Sequence, residues 1–73
     1  MGATELTKVQ KMLLYGLKLY NVAKEDAVAI VAFLEEDDQV MLINYMKTHE
    51  NATPQDILNE SGRILIQRKN ANS

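Results

Sequence analysis

Eight consecutive residues, Ala27-Val28-Ala29-Ile30-Val31-Ala32-Phe33-Leu34, carry no polar side chain. A segment apolar on every side has to be covered on every side. The chain has 73 residues, and a chain of that size buries only about 60–65% of the surface it exposes when unfolded. Eight residues are far short of the roughly 20 needed to cross a bilayer, so the cover must be protein. The composition of the run also suits a buried strand, but no second strand-like segment with flanking turn residues exists to pair with it. Lys24-Glu25-Asp26 precedes the run and places acidic residues where a helix dipole favours them. The spacing therefore predicts a helix over 24–34, with Ile30, Phe33 and Leu34 facing the thickest part of the core. Phe33 is expected to be among the most buried residues, and its replacement by alanine to cost about 3–5 kcal/mol.

The rest of the chain also reads as helix. Leu6, Val9, Leu13, Leu17 and Tyr20 recur at helical spacing, with Met12, Leu14 and Leu19 broadening the stripe and lysines lying between. That predicts a helix over 4–19, capped by Thr4 and ended near Asn21, a residue type that tolerates the left-handed conformation. Gly16 inside it costs about 1 kcal/mol against alanine unless a neighbouring helix crosses closely there. Glu35-Glu36-Asp37-Asp38 interrupts the apolar pattern, and Val40, Met41, Leu42, Ile43, Tyr45 and Met46 resume it, giving a third helix over 37–48.

Thr53-Pro54-Gln55-Asp56 is the clearest local signal: a cap, a proline at the first helical position, and an acidic residue completing a capping box. The fourth helix then spans 54–68 and runs through Gly62 unbroken, because Ile57, Leu58, Ser61, Ile64 and Leu65 keep one face across it. Residues 69–73 form a fraying tail. A thirty-residue offset between Asn21, Asp26 and Asn51, Asp56 is too slight to be a repeat. The expected fold is a single all-α domain, residues 1–73, of four helices in two antiparallel helical hairpins.

Charge is unevenly placed. Residues 1–24 sum to +3, residues 25–60 to −8, and residues 61–73 to +3, within a formal net charge of −2. Basic ends folding back across an acidic middle account for this pattern. There is no cysteine, which removes disulfides, thiolate metal sites and cysteine nucleophiles together. With no secretory signal at the start, a cytoplasmic setting is expected.

Little catalytic chemistry is legible. His49 is the lone histidine, and a metal site needs three or four converging ligands. Ser61 lies on the apolar face of the fourth helix without the sharp turn that presents a nucleophile. The four-acid run lacks the spacing of a calcium loop and reads as helix capping and solubility. Gly2, Gly16 and Gly62 are isolated, so no phosphate-binding loop exists. No enzyme, cofactor, metal or small-molecule substrate is expected.

Thr53-Pro54-Gln55-Asp56-Ile57-Leu58-Asn59-Glu60-Ser61-Gly62 resembles the first helix and turn of helix-turn-helix repressors. The resemblance covers ten residues and departs after Gly62, where Ile64-Leu65-Ile66 stands in place of a polar recognition helix. It implies a degenerate helix-turn-helix at 53–69 in a nucleic-acid-binding accessory protein, with Lys8, Lys11, Lys18, Arg63, Arg68 and Lys69 as contacts. The reading preferred from the residues themselves is a non-catalytic protein-interaction module or self-associating subunit, most simply a homodimer. The third helix carries apolar residues on more than one stripe, which makes Met41, Tyr45 and Met46 the expected interface.

Overall fold

Leu13 and Leu17, Leu42, and Ile57 and Ile64 are almost entirely shielded from solvent, and they mark where the core lies. The computed structural model describes residues 5–71. Four helices order these residues: α1 (Lys8–Leu19), α2 (Lys24–Phe33), α3 (Glu36–Thr48) and α4 (Pro54–Ala71). The chain is thus the small all-α domain that its periodicity implies.

Local chemistry sets the ends of the helices. α1 begins later than its apolar stripe suggests, because Thr7 supplies the cap. Thr7 Oγ1 accepts from the Gln10 amide at 3.1 Å and Gln10 Oε1 accepts from the Thr7 amide at 2.8 Å, a reciprocal pair that satisfies two orphan donors. Residues 5–7 are not helical, and the expected cap Thr4 lies outside the described residues. At the other end Asn21 adopts φ 64°. Val22 N–H then donates to Leu17 O and Asn21 N–H to Lys18 O, both at 3.0 Å, the Schellman pattern with its apolar contact supplied by buried Leu17 and Val22.

α2 and α3 are separated by only Leu34 and Glu35, both extended, with ψ 137° and 166°. A continuous helix would hold Glu35, Glu36, Asp37 and Asp38 in its interior. Breaking it puts the carboxylates at a new N-terminus, where the dipole and free N–H groups favour negative charge. The acids act through the dipole, since no side chain hydrogen-bonds as the cap of α3.

At the start of α4, Thr53 Oγ1 accepts from Asp56 N–H at 3.1 Å and Asp56 Oδ2 accepts from Thr53 N–H at 3.0 Å. α4 continues through Ser61 and Gly62 without a turn and reaches Ala71, three residues beyond the expected end. Of the tail, Asn72 and Ser73 lie outside the described residues.

α1 packs against α2 and most extensively against α3, α3 packs against α4, and α2 touches α4. Arg68 near the end of α4 reaches Asp38 at the start of α3, so those two helices form an antiparallel hairpin. Tyr20 Oη donates to the Met46 carbonyl at 2.5 Å, which ties the C-terminal ends of α1 and α3 together. Gly16 marks their crossing: a Cβ there would lie 2.9 Å from the methyl carbon of Met46.

The result is a slab with Cα extents of 37 × 34 × 19 Å, thin enough that no helix is surrounded. This overturns the expected place of Phe33. α2 buries Ala27, Ile30, Val31 and the following Leu34, whereas Phe33 is 69% exposed. A slab of two helix layers covers one side of α2, and Phe33 falls on the other. Phe33→Ala is therefore expected to change stability by less than about 1 kcal/mol, measured as urea unfolding of the monomer at low concentration.

Candidate interaction surface

A helix on the face of a slab keeps one side in solvent, and an apolar outer side marks an interaction surface. On α1, Lys8, Lys11, Tyr15 and Lys18 recur at i, i+3, i+7 and i+10, a single line along the helix. All four are exposed, and Tyr15 is 66% accessible. Exposed Met12 and Leu19 lie beside that line and overhang a groove of about 240 Å³ between α1 and α3, lined also by Ile43 and Lys47. Gly16 and Met46 also line it, the end of the Met46 side chain lying over Gly16.

On α2 the outward half consists of Val28, Ala32 and Phe33, all exposed, with Ala29 half-buried between them. The charges nearest in sequence are mainly acidic: Glu25 and Asp26 in its first turn, and Glu36 and Asp37 just past its end, all exposed. A cleft of about 430 Å³ between α1 and α2 is lined by Leu14, Val22, Ala27 and Val28 and flanked by Lys18 and Lys24.

The three residues expected to form an interface are separated by the fold. Met46 is 4% exposed and belongs to the core, packed over Gly16. Tyr45 is half-buried, its ring stacked on His49 with centroids 4.0 Å apart. Only Met41, 46% exposed, is freely available. The most exposed large apolar side chains are Phe33 on α2, Tyr15 and Leu19 on α1, and Ile66 on α4. On α2 the sequence signal was the absence of any polar face.

The expected nucleic-acid contacts do not converge either. Because α4 runs unbroken across Ser61 and Gly62, residues 53–69 form one helix and not a helix-turn-helix. Arg63 is bound to Glu60 through two guanidinium nitrogens, the Nε contact at 3.0 Å, and its hydrogen bond holds the Glu60 carboxyl below the ordinary carboxylate value. Arg68 is bound to Asp38 by Nε at 2.5 Å and to Glu35 at 3.2 Å. Those partners, Asp38 foremost, raise the Arg68 guanidinium above its ordinary value. Lys8, Lys11 and Lys18 stay together on α1, while Lys69 lies in the last turn of α4. Arg68 thus does what the charge pattern implied and folds the basic end back onto the acidic middle.

Two buried polar residues were not singled out in the sequence, Asp38 and Gln39. Asp38 turns inward to Arg68. Gln39 Nε2 donates to the Leu34 and Val31 carbonyls at 2.9 and 3.2 Å, satisfying acceptors that the end of α2 leaves open. Its Oε1 is buried without a partner. His49 Nδ1 lies 2.8 Å from the Tyr45 carbonyl and 3.0 Å from Thr48 Oγ1, and Ser61 Oγ donates to Leu58 O at 2.8 Å. Both polar groups serve their own helix ends or turns. Among the described residues no three acidic or histidine side chains gather as a metal site, and no helix is long and apolar enough to cross a membrane.

No protein-family model matches this chain, and neither a curated protein nor a solved structure matches it.

Proposed function

We propose that this protein is a small non-catalytic interaction module that works by self-association. The observation that supports this most directly is the outward half of α2, where Val28, Ala32 and Phe33 meet solvent on a helix with no polar residue between positions 27 and 34. Exposed Met12, Tyr15 and Leu19 give the neighbouring α1 an apolar face of its own, along its groove with α3. Scattered single apolar residues are ordinary on a protein surface, but two adjacent helices that both turn such residues outward favour a covering partner. A two-fold contact between like chains is the commonest way to supply one.

Sedimentation equilibrium from micromolar to near-millimolar concentration tests the reading. The expected result is a mass rising from the 8.3 kDa of one chain towards twice that value. A mass that stays at one chain across the whole range overturns self-association.

A further inference from the structure

We infer that the self-associated form pairs unlike helices, the basic-edged outer face of α1 in one copy seating on the acidic-edged outer face of α2 in the other. This rests on the self-association proposed above and specifies its geometry. Two faces of one chain lack a cover, and they carry opposite charge. α1 presents Tyr15 and Leu19 beside Lys8, Lys11 and Lys18, with no acidic residue between Lys8 and Leu19. α2 presents Val28 and Phe33, with Glu25 and Asp26 outnumbering Lys24 in its first turn and Glu36 and Asp37 following in the first turn of α3. Among the described residues none of these lysines is held in an ion pair, and the ion pairs found there are those of Arg63 and Arg68.

Face-to-face pairing of like helices would set lysine against lysine, or carboxylate against carboxylate, and like-charge juxtaposition disfavours association. The α1-to-α2 exchange removes that repulsion and covers the aromatic ring of each face. Since α1 and α2 pack on each other in one molecule, a single two-fold axis lets both exchanges form at once, as a closed contact and not an open filament. Phe33 and Tyr15, the two most exposed large apolar side chains among the described residues, are the aromatic anchors, the residue class on which interface energy concentrates.

Two measurements need no charge substitution. The dissociation constant of the wild-type chain, followed by sedimentation between about 50 mM and 500 mM salt, should weaken by roughly tenfold as the exposed charges are screened. Phe33→Ser should weaken it by at least about tenfold while leaving thermal unfolding of the monomer nearly unchanged. A third measurement asks for the pairing itself. A chain with Lys8→Glu, Lys11→Glu and Lys18→Glu makes both faces acidic, and a chain with Glu25→Lys, Asp26→Lys and Glu36→Lys makes both faces basic. Each, checked for helicity by circular dichroism, should be monomeric alone, and an equimolar mixture should form a heterodimer.

Self-association that is indifferent to salt, to Phe33→Ser, or to the charge reversals overturns this pairing and leaves self-association itself standing. A wild-type chain that remains a monomer overturns both.

Discussion

Leu42→Ala should remove about 3–4 kcal/mol of stability and lower the melting midpoint by roughly 12–32 °C. Leu42 is fully buried on α3, the helix that packs against both α1 and α4. Truncation there opens a cavity facing two neighbours, and close-packed helices collapse into such a space only partly. For 73 residues a total stability of about 4–11 kcal/mol is typical, so the variant stands near the edge of folding. A shift in the urea midpoint with an unchanged denaturant slope would identify the loss as native-state packing. A loss under 1 kcal/mol would show that α3 is not central to the core.

Gln39→Ala is expected to cost about 2–3 kcal/mol, a large effect for a polar residue beside an acidic run. Gln39 is 3% exposed, and its amide nitrogen is a donor to both the Val31 and Leu34 carbonyls. Removing it leaves two buried acceptors without a partner, and each such loss costs about 1–3 kcal/mol. The unpartnered Oε1 offsets part of this, because its own desolvation disappears with the side chain. Gln39→Leu separates the contributions: it keeps most of the volume, so any remaining loss against wild type reports the two hydrogen bonds. If Gln39→Leu were more stable than wild type, the orphaned oxygen would outweigh the bonds, and the link between α2 and α3 would need no amide to hold it.

Both residues show where sequence reading reaches its limit. Leu42 is one of several apolar residues on α3, and spacing alone does not separate it from exposed Met41. Gln39 follows four acids and reads as one more solvated residue of a helix start. The partners that bury Asp38 and Gln39 come from the end of α4 and the end of α2. Arg68 is thirty positions from Asp38, and Val31 eight from Gln39. Neither separation leaves a periodic trace. Of the expected interface residues Met41, Tyr45 and Met46, the fold buries Met46 for a related reason. Gly16 was recognised as a possible close crossing, but which side chain would occupy the space above it depends on how α1 meets α3.

The sequence by itself determined the kinds of element and most of their ends. Thr53, Pro54 and Asp56 start α4, Asn21 closes α1 at positive φ, the acidic run divides α2 from α3, and α4 crosses Gly62 without a turn. Each of these is settled by groups within a few positions of one another, through caps, dipoles and allowed dihedrals. Only the tertiary structure decided which side of α2 is buried. With no polar residue from Ala27 to Leu34, the helical period is present but has no phase. Ala27, Ile30, Val31 and Leu34 are no more apolar as a set than Val28, Ala32 and Phe33. The positions of α1 and α4 against α2 made the choice, and in a slab 19 Å thick it left Phe33 in solvent.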